Sequence, residues 1–428
     1  MKKTKTILAQ ILNPQNDRQC DFFVDGAIQI SCDEKNQWRI DGVGLQEEMN
    51  ITGEVLDYSQ HLMLPGFYDM HFHWVQDDVR LQPKDSLLEW LENYTFPAEA
   101  RFANPDYSYQ KAKSFFQSLT RTGTIGGACY SSIHGHALDH AFEFAQGDFV
   151  IGNVLMTMNS PSELTQSSSE AQELIATKAD QYRHRYALTP RFAPTTDPAT
   201  MKYGAQMAQQ HKCFTQTHLA ETTAEIDYVL AMYRQIPGFE DVQSYTEIYD
   251  RCQLLGSQTL MGHGIYLSES EWNLLAKTKT AIIHCPTSNA PIEQNGLGSG
   301  LFDIDQAAKY QVKWALGSDI GAGPYVSMLD VMNSFYHQHS QAHRNVSYTR
   351  ALYRSTLAGA QLLGLDQHSG NFAPDKFFNA VILPCQRRQG SAEGALRTFF
   401  DSYQGGRESF DSAPLAVFYR GQELFLQS

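Results

Sequence analysis

The sequence predicts a distorted TIM-type (β/α)₈ barrel with a small β-sandwich lobe formed by the N- and C-terminal segments. Its 428 residues are enough for a large barrel with an added lobe. The middle of the chain alternates strand-like apolar runs with helical stretches, whereas both ends carry short strand patterns. We therefore expect residues 1–64 and 373–428 to form the lobe and residues 65–372 to form the barrel.

The lobe is predicted from alternating polar and apolar residues near both ends of the chain. The N-terminal runs are Phe22–Ile28 and Trp38–Ile40, and the C-terminal runs are Ala380–Leu383 and Leu415–Leu424. The Arg-Gly-Gln-Glu sequence inside the last run separates two apolar stretches, which is typical of a hairpin. We infer that the two ends combine into one small lobe.

The barrel is predicted because strand-like apolar runs alternate regularly along the chain with stretches of helical hydrophobic period. This alternation favours repeated βα units and a parallel sheet. The predicted helices are Ser108–Leu119, Ser169–His184, Pro198–His211 and Ser268–Ala276. The predicted strands are Phe149–Met156, Cys213–His218, Thr259–His263, Thr280–His284 and Val312–Gly317.

Composition excludes several classes of function. Hydrophobic residues make up 42% and charged residues 19%, so the chain can bury a large core and is not disordered. The formal net charge of −14 repels phosphate backbones, so we expect no nucleic-acid partner. No apolar run approaches the roughly 20 residues of a membrane helix, and the seven scattered cysteines favour reduced thiols. A cytoplasmic protein is expected.

The densest chemistry lies in the segment from Pro65 to His73, where an apolar run leads into two histidines spaced by two residues. Alternate strand residues face the same side, so His71 and His73 are expected to point together at the end of a strand. Two imidazoles on one face can share a divalent ion.

Three further strand-like runs end on residues of the same chemistry. One ends on His218, with Glu221 three residues later, another on His263, and a third on Asp319 among small residues. The C-terminal ends of barrel strands converge on one mouth. Three histidines and one carboxylate there would form a mononuclear site for a metal such as zinc, with one position open to water.

With these motifs the chain resembles the amidohydrolase superfamily, which has a His-x-His after the first barrel strand, histidines after the fifth and sixth, and an aspartate after the eighth. The matching residues are His71, His73, His218, His263 and Asp319. No lysine ends the fourth strand candidate, so the chain is more similar to the mononuclear deaminase branch than to the binuclear enzymes.

Within that branch the chain resembles the guanine deaminases from about residue 60 to the C-terminus. The segments that carry the likeness are LLEWL at 87–91, YTFPAE at 94–99, RF at 101–102, TPRF at 189–192, HCPTSN at 284–289, GSDIGAG at 317–323 and SML at 327–329. The resemblance implies a purine base as substrate, one Zn²⁺ per subunit with Fe²⁺ as the alternative, and a homodimer.

The resemblance also implies roles for particular residues. The metal ligands would be His71, His73, His218 and Asp319, and the catalytic residues Glu221, His263 and Asp319. The substrate contacts would be Gln76, Arg191, Phe192, His218 and Glu221. Arginine suits a purine carbonyl, a glutamine amide donates and accepts, and phenylalanine offers a face to a flat ring. Asp319 would take a proton from the activated water, and Glu221 would carry protons to the ring nitrogen and the leaving amine.

Departures from the family pattern leave fine specificity open. Those expected at the barrel mouth are Trp74-Val75, Gly126-Gly127, Thr157 and the insertion 290–298. Another aminated heterocycle, such as an oxidised guanine, a pterin or a triazine, is therefore an alternative substrate, and a non-catalytic scaffold is a further alternative. A nucleic-acid deaminase is excluded because its His-x-Glu and Pro-Cys-x-x-Cys motifs are absent.

Three histidines on a polar helical stretch, His337, His339 and His343, are expected to lie on a solvated face. His284 is expected to brace the adjacent Cys-Pro turn rather than to bind metal.

Overall fold

The computed structural model describes residues 3–84, 86–385, 390–403 and 409–427. Its strands form two sheets. The N-terminal strands are β1 (Thr4–Asn16), β2 (Gln19–Cys32), β3 (Trp38–Leu45) and β4 (Glu54–Pro65). The central strands are β5 (Phe67–His73), β6 (Thr124–Ser131), β7 (Asp148–Leu155), β8 (Ala187–Pro190), β9 (Phe214–Leu219), β10 (Thr259–His263), β11 (Ala281–His284) and β12 (Trp314–Leu316). The C-terminal strands are β13 (Ala380–Pro384), β14 (Ala416–Tyr419) and β15 (Gln422–Leu426).

Both ends of the chain contribute to one mixed sheet, in the order β15-β14-β13-β4-β1-β2-β3. The junction is the antiparallel pair of β4 and β13, in which Met63 lies opposite Ile382. The buried face includes Ile7, Ile28 and Phe378. The predicted lobe of two chain segments is therefore confirmed, and its seven strands form a continuous sheet. The exact boundaries at residues 64 and 372 stay a prediction.

The central strands form a separate sheet of eight parallel strands in the order of the chain, from β5 to β12. The segment after β12 returns to β5 and nearly closes the barrel. There the Asp319 amide donates to the His71 carbonyl at 2.7 Å, and the Ser318 amide donates to Asp69 at 2.9 Å. This closure places Asp319 directly beside the first strand.

Helices follow most of the barrel strands. They are α1 (Leu87–Trp90), α2 (Phe96–Ala100), α3 (Pro105–Arg121), α4 (Gly135–Phe144), α5 (Ser168–Tyr182), α6 (Pro198–His211), α7 (Thr223–Tyr233), α8 (Tyr245–Arg251), α9 (Glu269–Thr278), α10 (Pro286–Asn289), α11 (Ile304–Lys309), α12 (Met328–Gln341), α13 (Tyr348–Arg354), α14 (Leu357–Leu362) and α15 (Ala392–Ser402). A π-helical turn over Leu91–Thr95 joins α1 to α2. The four predicted helices correspond to α3, α5, α6 and α9.

Helix α15 lies in the C-terminal segment, where the sequence analysis predicts only strands. Its apolar residues, including Leu396 and Phe399, are buried in the large cluster that surrounds the barrel. The ring of Phe400 stacks on Tyr348 of α13 at 4.3 Å between centroids. This helix therefore ties the C-terminal segment to the barrel wall.

Buried barrel strands explain the near-continuous apolar runs of the sequence, because helices cover the outer face of a parallel sheet. Every residue of β5 is buried, including both histidines.

In the described part of the chain, no helix combines the length and the apolar character needed to span a membrane.

Candidate active site

Five side chains from four separate segments of the chain meet at the C-terminal ends of the barrel strands. His71 and His73 end β5, His218 lies near the end of β9, His263 ends β10, and Asp319 follows β12. Nε2 of His71 lies 3.3 Å and Nε2 of His73 lies 3.5 Å from Oδ1 of Asp319. Nε2 of His263 lies 3.8 Å from Oδ2 of the same carboxylate. The convergence predicted from the strand ends is present.

These side chains fit a metal ion. One ligand atom from each of His71, His218, His263 and Asp319 lies within 4.8 Å of the others. His73 joins them, because its Nε2 lies 3.1 Å from Nε2 of His218. Nε2 of His71 is buried and has no hydrogen-bond partner among the described residues. Nitrogen lone pairs and a carboxylate that converge in a buried space form a donor set that a borderline divalent cation prefers.

The imidazoles of His71, His73 and His218 are held neutral, as metal ligation requires. Burial lowers the pKa of His71 and takes the pKa of His73 and of His218 well below the usual value. Nδ1 of His218 lies 2.6 Å from the Arg191 carbonyl oxygen. Because that oxygen can only accept, the proton of His218 is on Nδ1 and its Nε2 presents a lone pair.

Two of the five residues have strained backbones. His263 has a φ of 70° and Asp319 a φ of 50°, both in the left-handed region that non-glycine residues rarely adopt. Such strain costs on the order of 1–3 kcal/mol and persists only where surrounding contacts fix it. Asp69 supplies such contacts beside Asp319, because its carboxylate accepts from both the amide and the hydroxyl of Ser318.

Two glycines from other parts of the barrel, one on β10 and one just after β12, make room for the His71 ring. A Cβ added at Gly262 on β10 would lie 2.6 Å from Cε1 of His71. One added at Gly317 would lie 2.8 Å from the Cβ of His71. Since real side chains do not approach so closely, the position of His71 depends on both glycines.

Gly262→Ala is expected to push the His71 ring out of place, lower metal content, and reduce kcat/KM by about 100-fold, since small misplacements of active-site groups have effects of that order. Metal analysis and steady-state kinetics on the purified variant measure both. The matched control is Gly256→Ala, where an added Cβ meets nothing closer than 3.9 Å. Wild-type metal content and activity in Gly262→Ala would contradict this account.

Glu221 lies buried beside His263, with its carboxylate held by several donors. Its Oε1 accepts from Ser299 Oγ at 2.8 Å and from Asn289 Nδ2 at 3.2 Å, and its Oε2 lies 3.5 Å from His263 Nε2. Burial raises the pKa of Glu221 to about 7, against the opposing effect of His263. The backbone amide of Glu221 donates to Glu225 at 2.9 Å. Glu221 can therefore hold or release a proton near neutral pH.

A pocket opens beside these groups, with about 410 Å³ of empty space that includes open solvent. Its lining residues are His73, Gln76, Leu87, Trp90, Leu91, Arg191, Phe192, His218, Glu221, Glu225, Asp319 and Ala322. All five substrate contacts predicted from the resemblance lie in this wall. The arginine, the glutamine amide and the phenylalanine ring thus lie in the same pocket as the metal-ligand candidates and the Glu221 carboxylate.

Several residues of the site were missed by the sequence analysis. Asn289 and Ser299 hold the Glu221 carboxylate, and Glu99 binds both Gln76 and Arg191. Asn289 and Glu99 lie in segments that carried the family resemblance. Their roles depend on contacts between distant parts of the chain, so spacing alone gave no signal for them.

One of the four departures expected at the barrel mouth lies at the opposite end of the barrel, and a second follows β7 on the mouth side without lining the pocket. Gly126 and Gly127 pair with the first residues of β7, so they lie toward the opposite end of the barrel. Thr157 donates to Asp197 at 2.6 Å and thereby supports the start of α6. It is not among the residues that line the pocket. The insertion lies beside the pocket, because Leu297 packs in the same apolar cluster as the lining residues Trp90 and Phe192.

The expectation of a solvated histidine face on α12 is wrong for His339, which is fully buried. Its Nε2 lies 3.1 Å from Nε2 of His284. The helix turns this histidine toward Phe335 and the barrel wall, with 4.7 Å between ring centroids.

Comparisons with known proteins agree with this architecture. The model of the amidohydrolase family matches residues 62–405. Guanine deaminase of Escherichia coli (strain K12) is 33% identical over 379 residues, which cover 87% of this chain and 84% of the relative. A solved structure of E. coli guanine deaminase superposes with a TM-score of 0.86 and 28% identity, covering 100% of both chains.

A further solved structure is guanine deaminase from C. acetobutylicum with guanine bound in the active site. It superposes with a TM-score of 0.82 and 25% identity, covering 99% of this chain and 100% of that chain. The family match spans most of the chain, and the relatives agree in both sequence and fold. The chain belongs to the amidohydrolase family and, within it, to the guanine deaminases.

Proposed function

We propose that the protein hydrolyses guanine to xanthine and ammonia. The observation that carries the proposal is that a buried His/Asp group suited to a metal shares a pocket with Glu221 and Arg191. The similarity to guanine deaminases, one of which binds guanine in its active site, supports the same reaction. A non-catalytic scaffold is disfavoured, because every expected ligand is present and converges.

The ligands we assign are His71, His73, His218 and Asp319, with Zn²⁺ as the ion and Fe²⁺ as the alternative. The short distance between Nε2 of His73 and Nε2 of His218, 3.1 Å, supports this choice. So does the carboxylate of Asp319, which lies within 3.5 Å of both β5 histidines. When bound, such an ion acts as a Lewis acid that brings the pKa of a coordinated water to about 7.

His263 is better suited to direct protons than to bind the ion. The two amide hydrogens of Asn289 are directed at Oε1 of Glu221 and at Nδ1 of His263, at 3.2 and 3.1 Å. Because Nδ1 of His263 then accepts, its proton is on Nε2, which faces the Glu221 and Asp319 carboxylates. We therefore assign His263 as a catalytic group that orients the attacking water.

Asp319 and Glu221 divide the proton transfers. Asp319 accepts the proton that water loses as it attacks the ring carbon bearing the amine. Glu221, with its pKa raised by burial to about 7, first protonates the adjacent ring nitrogen. As a carboxylate it then takes the proton of the new C–OH group and delivers it to the departing amine, and the proton held by Asp319 restores Glu221 for the next cycle. Positioned acids and bases of this kind contribute about 10²- to 10⁴-fold each.

The remaining pocket residues bind the base. Arg191 is the donor for the purine carbonyl, Gln76 contacts a polar edge of the ring, and Phe192 offers an aromatic face. All three are buried, so a bound base would be largely removed from water.

A substrate panel tests the proposal. Ammonia release is measured for guanine, an oxidised guanine, a pterin and an aminated triazine at equal concentration. We expect guanine to have the highest kcat/KM. An inert guanine together with rapid turnover of another member would replace the proposed substrate.

The cytoplasmic location and the homodimer expected from the sequence stay predictions. The buried thiols Cys129, Cys213, Cys252 and Cys285 suit a reducing compartment.

A further inference from the structure

Glu99, on α2, is a buried carboxylate that contacts two substrate-binding residues. It is fully buried, and both of its oxygens accept from Nη1 of Arg191, at 2.8 and 2.7 Å. Oε1 also accepts from Nε2 of Gln76 at 2.8 Å. Glu99 thus lies behind the pocket wall and holds two of the groups that face the base.

This contact fixes which way the Gln76 amide points. A carboxylate can only accept, so the nitrogen of the amide must face Glu99. The amide oxygen, Oε1 of Gln76, then does not contact Glu99, and it can only accept a hydrogen bond. It lies beside Gly321, where an added Cβ would come within 2.1 Å of Oε1. Space for the amide in this orientation therefore depends on a glycine.

The same contact fixes the Arg191 guanidinium. Nη1 is directed at Glu99, and the Cζ atom lies 5.1 Å from the centroid of the Phe96 ring. The donors on Nη2 and Nε are not committed to Glu99. A guanidinium anchored on one side and packed on a ring keeps its other donors in a defined direction, which limits the entropy lost on binding.

We propose that Glu99 is a positioning residue that fixes the hydrogen-bond polarity of the pocket, with Arg191 as donor and Gln76 as acceptor. The proposal rests on the proposed function and deepens it by naming a substrate class. A donor beside an acceptor is complementary to a ring carbonyl next to a ring N–H. The site therefore selects aminated heterocycles that carry this lactam edge, as guanine does, and rejects those that lack it.

The test compares guanine with 2-aminopurine, which has the reacting amine but neither the carbonyl nor the adjacent N–H. Sites built to bond a polar group reject an analogue that lacks it, by up to about 10⁴- to 10⁵-fold, because buried partners are left unpaired. In Glu99→Gln the amide replacing the carboxylate carries its own donor, so Gln76 and Arg191 lose their fixed orientations. We expect KM for guanine to rise about 10- to 100-fold, and the kcat/KM preference for guanine to fall at least about tenfold.

Glu92→Gln is the matched control, because Glu92 is an exposed carboxylate on the turn before α2. It should leave KM and the preference unchanged. If Glu99→Gln fails to fold, Glu99→Asp keeps the charge but shortens its reach, and it should raise KM with metal content unchanged. An unaltered KM and preference in a folded Glu99 variant would overturn the inference.

Binding of guanine, followed by calorimetry alongside turnover, separates this inference from the proposed function. Wild type that binds guanine but releases no ammonia would overturn the proposed reaction, while weaker binding in Glu99→Gln would still support the role of Glu99. Wild type that binds no guanine would overturn both. Normal turnover in wild type with equally tight binding in Glu99→Gln would overturn only the role of Glu99.

Discussion

Replacing Asp319 with asparagine is expected to remove nearly all activity and most of the bound metal. The Asp319 carboxylate lies close to His71, His73 and His263, with its oxygens 3.3 to 3.8 Å from their Nε2 atoms. An amide of the same shape supplies neither the negative charge for the ion nor a base for the water proton. We expect kcat to fall by about 10⁴-fold, which is the upper end of the effect of a general base. Ammonia release measures kcat, and elemental analysis measures the metal content.

Asp227→Asn is the control for this change, because Asp227 is an exposed carboxylate on α7 and lies outside the pocket. It should retain both metal and activity. An Asp319→Asn variant that keeps its metal and turns over guanine at the wild-type rate would contradict the assignment of Asp319 as both ligand and base.

Glu221→Gln is expected to separate chemistry from metal binding. The glutamine can keep its contacts with Asn289 and Ser299, but it cannot carry a proton to the ring or to the leaving amine. We therefore expect kcat to fall by about 10²- to 10⁴-fold, with metal content unchanged. Ammonia release under saturating guanine measures the first quantity, and elemental analysis the second.

Binding of guanine should survive this replacement, since Arg191, Gln76 and Phe192 are untouched. Full turnover in Glu221→Gln with bound metal would remove Glu221 from the mechanism. Loss of metal together with loss of activity would instead indicate a ligand role for Glu221 that the proposed mechanism does not include.

Much of the fold could be predicted from the sequence, because barrel strands and their helices differ clearly in hydrophobic period. The predicted bounds Pro198–His211 and Thr259–His263 coincide with α6 and β10. Helix α15 was missed because the strand patterns on both sides of it suggested a purely β segment. Its apolar pairs at Ala395-Leu396 and Phe399-Phe400 do follow the helical period of about four residues.

The metal-ligand candidates could be predicted because they occupy strand ends, which a barrel brings together whatever the loops do. Glu99 could not, because it meets Arg191 across 92 positions of the chain. His339 could not either, because the polar stretch around it hides the one face of α12 that packs against the barrel. The local sequence pattern therefore predicted the functional residues at strand ends. The residues that support them depend on tertiary contacts, which the local pattern does not show.

The most direct test of the metal-dependent mechanism is the conversion of guanine to xanthine, followed by ultraviolet absorbance before and after removal of metal with a chelator. Conversion should stop in the metal-free protein and return when one equivalent of Zn²⁺ per chain is added back. Undiminished conversion by protein shown to be metal-free would contradict the assignment of the five converging side chains as a metal-dependent centre.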